Sequence, residues 1–323
     1  MSIRSRSMQP DDAEECARIV AQHPVLAARY AEEIQHLDRA WRAMFGSDAF
    51  VATVFEETEN SKTEILGAGV AAFVTDEFAD QLKSEPSFWI GPEFTARIAR
   101  GKSPVLTNKQ LREANSSSGL NLAVWQTAVL PHNLVRLEVG GLIMAAFVEA
   151  FRGFLLKESL TQAETVEHVE ALRLTGGLLW NTQARSYQDF SGVLPLDLLN
   201  KPHVIGMSRD LASRAPGSWA ASMFLYEKPR FGFNRSEQRL LLAALDGGTD
   251  QELSHELSIS PETIKKAWRR IYGRAAACLP EPALGNSAVE EGTAERGKEK
   301  KQRLLAYLRD HPEELRPISR RLL

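Results

Sequence analysis

Hydrophobic residues recur at helical spacing in three successive stretches between positions 233 and 274. Asn234 or Ser236 is a candidate N-cap for the first stretch, which ends at Gly247-Gly248, and the turn 258–260 separates the second from the third. Such periodicity, bounded by turn residues, predicts three amphipathic helices joined by sharp corners. The apolar positions are Leu240, Leu241, Ala244 and Leu245 in the first helix, Leu253 and Leu257 in the second, and Ile264, Trp268 and Ile271 in the third.

The second and third of these helices begin with residues that favour a helix start. Thr249 and Glu252 have the spacing of a capping box, in which each side chain satisfies a backbone N–H of the other. Ser260 is a good N-cap for the third helix, and Pro261 fits the first helical position because its missing N–H costs nothing there.

The third helix is predicted to be strongly basic. Between positions 261 and 274 there are five basic residues and one acid, Glu262, so the stretch carries +4 in a chain whose net charge is −3. A helix-turn-helix places its second helix in the major groove of DNA, where cationic side chains meet phosphates and guanine edges. The alternative is a helical hairpin whose basic face is only solvated. The basic residues are Lys265, Lys266, Arg269, Arg270 and Arg274.

This stretch resembles the DNA-binding domain of LuxR-type transcriptional regulators. The matching positions lie in register over about one eighth of the chain. They are Glu237 in the first helix, Gly247, the triplet Glu252-Leu253-Ser254, the turn residues Leu257, Ile259 and Ser260, the triplet Thr263-Ile264-Lys265, and Ile271.

The resemblance implies a sequence-specific transcriptional regulator that binds double-stranded DNA as a homodimer. It implies that Thr249 and Thr263 contact phosphates through hydroxyls and helix N-terminal amides. Basic side chains would supply the base-edge and phosphate contacts. The family continues into a short fourth helix used for dimerisation, which Pro280 and Pro282 interrupt here. The DNA-binding end of a sigma factor, which has a similar three-helix unit, is the other resemblance. The implied basic contact residues are Lys265, Lys266, Arg269, Arg270 and Arg274.

The part of the chain before position 230 alternates between strand-like and helix-like patterns. This order predicts an α/β domain, a mixed sheet flanked by helices. Predicted strands are 3–6, 50–55, 65–74, 120–130, 203–207 and 219–225, and predicted helices include one from Pro10, 28–45, 76–83, 93–100, 111–115, 137–156, 166–172 and 208–213.

Several of these segments resemble a GNAT-type acyltransferase fold. Ile3-Arg4 with Asp11-Asp12 fits the opening of that family, and 66–69 fits its glycine-bearing hairpin. Strand 122–130 with the following helix fits the core unit, and 224–233 fits the closing segment. The resemblance implies an acyl-CoA-dependent N-acyltransferase fused to a DNA-binding module as the alternative function. As the first hypothesis, the domain is a sensor or scaffold that binds a small-molecule effector.

The residues that would hold acyl-CoA depart from the GNAT pattern. Arg136, Gly140 and Gly141 correspond to its phosphate-binding loop, but their spacing is off by one and Glu138 would repel phosphate. Two interpretations remain: the glycines allow close helix–strand packing, or they form an altered acyl-CoA site. We predict no acetyltransferase activity, no catalytic residue, no metal and no cofactor.

Composition limits the remaining possibilities. With 43% hydrophobic and 25% charged residues, the chain is typical of a globular protein. Cys16 and Cys278 have no metal-type spacing, and no secretory pattern or membrane span is visible, so a cytoplasmic protein is expected. The predicted organisation is an α/β domain over 1–229, a helix-turn-helix domain over 230–280, a linker over 281–297 and a basic C-terminal helix over 298–323.

The C-terminal helix has Leu304, Leu305 and Leu308 on one face. It is expected either to dock on the rest of the protein, or to serve as a dimer element or a second contact to DNA phosphates.

Overall fold

A computed structural model describes residues 2–84, 87–130, 133, 136–190, 195–278 and 293–318. The chain divides into two compact units, Met1–Leu225 and Tyr226–Arg321. The C-terminal helix belongs to the second unit. Positions 279–292, which include most of the predicted linker and both Pro280 and Pro282, lie outside the described residues. Among the described helices, none is long and apolar enough to cross a membrane.

The first unit is built around a mixed eight-stranded sheet. The predicted hairpin is present, because two strands rich in β-branched and aromatic residues flank a tight turn at Asn60 and Ser61. The sheet order is β1-β2-β3-β4-β5-β8-β6-β7. The strands are β1 Ser2–Ser7, β2 Phe50–Glu59, β3 Lys62–Val74, β4 Leu120–Val129, β5 Leu156–Thr161, β6 Leu178–Asn181, β7 Ser186–Gln188 and β8 Ile205–Ser208.

Helices cover this sheet and bury its apolar side chains. Trp125 on β4 stacks on Phe94 and meets Trp41 edge-on, so one large cluster joins the sheet to its helices. The helices of the unit are α1 Ala13–Gln22, α2 Pro24–Tyr30, α3 Leu37–Met44, α4 Asp76–Leu82, α5 Ile90–Ala99, α6 Asn108–Ser116, α7 Leu137–Phe151, α8 Val166–Leu174, α9 Pro195–Asn200, α10 Arg209–Arg214 and α11 Trp219–Ser222.

The two central strands separate along their length. β4 and β5 are parallel, but they pair only over the first part of β4, from Leu120 to Ala123. β4 also carries an extra residue, Trp125, relative to its other neighbour β3. Because β4 runs on to Val129 without a partner on the β5 side, a gap opens between the two strands.

The structure corrects several sequence-based predictions. The predicted helix 28–45 is broken after Tyr30, where Ala31 has a positive φ of 44°. The predicted helix 137–156 ends at Phe151, and β5 begins at Leu156. The predicted strand 219–225 is wrong: Ser218 caps the short helix α11 instead.

The second unit contains the three expected helices, α12 Arg235–Leu245, α13 Asp250–Glu256 and α14 Pro261–Cys278. Asn234 caps α12, and the capping box of Thr249 and Glu252 is formed. The Thr263 N–H donates to Ser260 Oγ at 3.2 Å, so Ser260 caps α14 as predicted.

The C-terminal helix, α15 Thr293–Asp310, packs against these helices. Leu304, Leu305 and Leu308 are buried in the same cluster as Leu241 and Trp268. A 3₁₀ turn, Pro312–Leu315, follows it, and the buried Glu314 carboxylate accepts the N–H groups of Arg230 and Phe231. The segment after α15 is thereby fixed to the start of the unit.

Candidate functional site

A basic surface covers the exposed side of α14. Its apolar face, formed by Ile264, Trp268 and Ile271, is buried against the other helices. The opposite positions are exposed and cationic. Within the residues that the structure describes, Lys265, Lys266 and Arg269 make no ion pair. Their charges are therefore available to a polyanion.

The other two predicted DNA contacts are held by a buried acid. Glu237 on α12 is 1% exposed, and its carboxylate lies 3.3 Å from Arg274 Nε and 4.0 Å from Arg270 Nε. The same carboxylate accepts the N–H of Asn234 at 3.0 Å. Since a buried carboxylate is costly without partners, Arg270 and Arg274 serve first to neutralise Glu237.

The two threonines lie at helix starts, as predicted. Thr249 Oγ1 donates to Glu252 and accepts the Glu252 N–H, so its hydroxyl is engaged in the cap. The Thr263 hydroxyl shares a 2.9 Å hydrogen bond with Ser260. Both residues are exposed, and the N-termini of α13 and α14 carry the partial positive charge of a helix start.

Lys301 on α15 is a basic residue in contact with α13 and α14 that the sequence did not single out. Its ammonium group is 2.9 Å from Asp250, the first residue of α13, and 4.9 Å from the centre of the Trp268 ring. It therefore joins the C-terminal helix to both α13 and α14. The periodicity placed Lys301 on a helix, but nothing in the sequence indicated where that helix docks.

The first unit contains a large cavity where β4 and β5 separate. Its volume is about 480 Å³, and α7, α8 and α11 close it together with the two strands. The lining is mostly apolar, with Ile143, Phe147 and Met207 among its residues. Arg136, Gly140 and Gly141, the three residues of the predicted acyl-CoA loop, all line it.

The two glycines are not needed for packing. A Cβ atom added at Gly140 or at Gly141 would meet nothing within 4 Å. Both residues lie in the first turns of α7 and are exposed. The interpretation that they allow close helix–strand contact is therefore wrong. Their small size leaves room beside the cavity instead.

Arg136 is already bound to two carboxylates. Its guanidinium donates to Glu57 at 2.8 Å and to Glu138 at 2.8 Å, and it also donates to Asn133. These bonds lower the pKa values of Glu57 and Glu138 and raise that of Arg136. Glu138 turns toward Arg136 and is outside the cavity lining, while Val139 is buried against the sheet.

Glu164 is one of two acidic residues in the cavity lining, with Glu167. It follows β5 by three residues, and one of its carboxylate oxygens, Oε2, accepts a hydrogen bond from Gln126 Nε2 at 2.9 Å. Burial raises the pKa of this carboxyl to about 7, against the lowering effects of the Gln126 bond and the Arg29 charge. Sequence reasoning missed Glu164 because it missed β5.

Two histidines also line the cavity, and both favour the neutral form. Burial lowers the pKa of His168 to about 4, and it also lowers the pKa of His23. A neutral imidazole can accept or donate a proton, and Glu164 with a pKa near neutrality can do the same. The lining of this mostly apolar cavity thus includes three groups that can exchange protons.

Glu227, His311 and Glu313 in the second unit could hold a metal ion, because their ligand atoms lie within 4.8 Å of one another. Glu227 is exposed, however, and pairs with Arg230 at 3.3 Å, while His311 Nδ1 is 3.0 Å from Glu313. The existing partners account for these three side chains without a metal.

This chain matches no protein-family model, no curated protein and no solved structure. Its function must therefore be inferred from the two sites themselves.

Proposed function

We propose that this protein is a sequence-specific DNA-binding transcriptional regulator that contacts double-stranded DNA through α14. The observation that carries the proposal is the exposed trio Lys265, Lys266 and Arg269, none of which is paired with an acid among the described residues. Three adjacent unpaired cations on a helix that follows a short corner suit a major groove. The LuxR-type resemblance supports the same assignment.

The five basic side chains of α14 are proposed to have different roles in DNA binding. Arg274 pairs with Glu237 at 3.3 Å, whereas Arg270 lies 4.0 Å from that carboxylate and is 62% exposed, so Arg270 is the freer of the two to reach a phosphate. Lys265, Lys266 and Arg269 are free to reach base edges. Thr249 and Thr263 mark helix N-termini whose positive partial charge faces phosphates, and each hydroxyl would have to exchange its present bond, to Glu252 or to Ser260, for a phosphate oxygen.

Selection of bound fragments from a random duplex library, followed by fluorescence anisotropy, tests this function. Lys265→Ala and Arg269→Ala are each expected to weaken binding by about 1–3 kcal/mol where they contact a base. Arg239→Ala is the matched control, because Arg239 is exposed on α12 of the same unit and lies outside the proposed contact set. Failure to select any sequence, or equal affinity of all variants, would refute the proposal.

An acyl-CoA-dependent N-acyltransferase is the second candidate function. It is favoured by the cavity beside Arg136, Gly140 and Gly141, which the GNAT-type resemblance assigns to the acyl-CoA loop, and by the open space at the two glycines. Glu164 would accept the proton that an attacking amine releases. Against it, Arg136 is engaged by Glu57 and Glu138 and offers no free charge to a diphosphate.

A further inference from the structure

We propose that the cavity of the first unit is a binding site for a small apolar amine, whose ammonium group pairs with Glu164 and whose hydrocarbon or aromatic body fills the space between β4, α7 and α8. This proposal concerns binding to the first unit alone and does not rest on the DNA-binding function proposed for the second unit.

The apolar character of the site extends to its mouth. Leu137 is 90% exposed, Leu174 is 76% exposed and Trp219 is 52% exposed, and all three belong to the cavity lining. A contiguous exposed apolar surface often marks a ligand-binding groove, and these three side chains share one cavity lining. An apolar ligand that passes between them would cover part of this surface.

Glu164 has unused capacity to bind a donor. Its Oε2 accepts from Gln126, while Oε1 accepts no hydrogen bond from any residue that the structure describes. Arg29 does not bridge this carboxylate: its Nη2 atom donates to the backbone carbonyls of Glu164 and Leu199, and its guanidinium lies over the Trp89 ring. A ligand N–H group would complete the bonding of the acid.

The charges around the cavity favour a cation over an anion. The lining contains two acids, Glu164 and Glu167, and one permanent cation, Arg136, which already serves Glu57 and Glu138. The two lining histidines favour the neutral form. A ligand that carries a carboxylate or a diphosphate would find no unengaged cation among the described lining residues, whereas an ammonium group would find Glu164.

The cavity is large enough for an amine with a long hydrocarbon chain or an aromatic ring. A volume of about 480 Å³ falls within the usual range for small-molecule sites. One polar group and a long apolar remainder match a site whose walls are mostly apolar and whose acid Glu164 has one carboxylate oxygen without a hydrogen bond to a described residue. Glu164 is partly buried, so water screens its attraction for a cation less than it would at an open surface.

The test compares three eight-carbon ligands that differ in their polar group: octylamine, octanol and octanoate. Binding to the full-length protein is measured by calorimetry and by the shift in melting temperature, which rises when a ligand binds only the folded state. Octylamine is expected to bind, with octanol at least about tenfold weaker and octanoate weaker still. Equal binding of the three would overturn the proposal.

Glu164→Gln keeps the shape of the side chain and its acceptor for Gln126 but removes the charge. It is expected to lower octylamine affinity at least about tenfold and to leave octanol binding unchanged. Glu170→Gln is the control, because Glu170 lies on α8 outside the lining and pairs with Arg173. Unchanged octylamine affinity in Glu164→Gln would contradict the pairing, and binding of acetyl-CoA in preference to octylamine would favour an acyl donor instead.

Discussion

At the scale of single residues, most of the assignments depend on which charges are already paired. The sequence shows five cations on α14 but cannot show that the buried Glu237 holds two of them, Arg270 and Arg274. In the same way, Arg136 is cationic in sequence and neutralised in the structure by Glu57 and Glu138. Three-dimensional pairing decides which charges a ligand can use.

Glu237 is expected to stabilise the start of α12 through its bond to the Asn234 N–H. Glu237→Ala would leave that donor and two arginines without their partner, which should cost about 1–3 kcal/mol. Glu237→Gln should lose less, because glutamine also completes a capping box. Hydrogen exchange of the α12 amides measures the difference, and the same protection in wild type and Glu237→Ala would show that the bond contributes nothing.

Glu164 should make the stability of the protein depend on pH. Burial raises its folded pKa to about 7 from an ordinary 4.5, so the folded state binds the proton more tightly. The stabilisation is complete below about pH 4.5 and is lost as pH rises through 7. Melting temperatures of wild type and Glu164→Gln, measured from pH 5 to pH 8, should diverge as pH rises, with the wild type losing more. Parallel curves of melting temperature against pH would show that the pKa of Glu164 is not raised in the folded protein.

At the scale of elements, the sequence predicts best where periodicity is strong and capping residues agree with it. The three helices after Phe233 and the β2–β3 hairpin are of this kind. β5 was missed because its buried positions include Glu158, a residue depleted in strands. Lys83 and Tyr187 bond to that carboxylate at 2.7 and 2.8 Å, and such distant partners are invisible in the local pattern.

The break after Tyr30 has a similar origin. The apolar spacing through positions 28–45 is helical, yet Ala31 adopts a left-handed φ and a 3₁₀ segment, Ala31–His36, follows. Tyr30 is fully buried, and its hydroxyl donates to Gln126 at 2.8 Å. We infer that this tertiary contact outweighs the local helical preference, which single-sequence reasoning cannot weigh.

The start of α7 allows a test that separates packing from binding. Gly140→Ala should stabilise the protein by about 0.5–1 kcal/mol, because an alanine suits a helix interior better and its Cβ would meet no atom within 4 Å. Thermal melting measures the effect. Destabilisation would restore the view that the glycine serves close packing. The same variant should lower the affinity of any ligand that binds against the start of α7.

At the scale of the whole molecule, the first unit has a cavity and the second has a basic surface, so we propose ligand binding for the first and DNA contact for the second. The division at Leu225 and Tyr226 agrees with two separable tasks. The sequence indicated the basic surface directly, through its +4 helix. It could not indicate the cavity, which depends on how β4 and β5 separate.

We expect no acetyltransferase turnover from the full-length protein. Arg136 is engaged, and Glu57 and Glu138 place negative charge beside the position of a diphosphate. Product formation from acetyl-CoA and a panel of amines, followed by mass spectrometry, measures this. Transfer at an enzymatic rate that Glu164→Gln abolishes would establish the enzyme and contradict the expectation. Glu170→Gln serves as its control.

The salt dependence of DNA binding tests the central proposal most directly. Anisotropy titrations of the full-length protein on its selected duplex, over a range of salt concentrations, compare wild type with the combined variant Lys265→Ala, Lys266→Ala, Arg269→Ala and with Arg239→Ala. The combined variant should lose about a hundredfold or more in affinity and show a shallower salt slope, while Arg239→Ala stays like wild type. Wild-type affinity and slope in the combined variant would contradict the assignment of α14 as the DNA-reading helix.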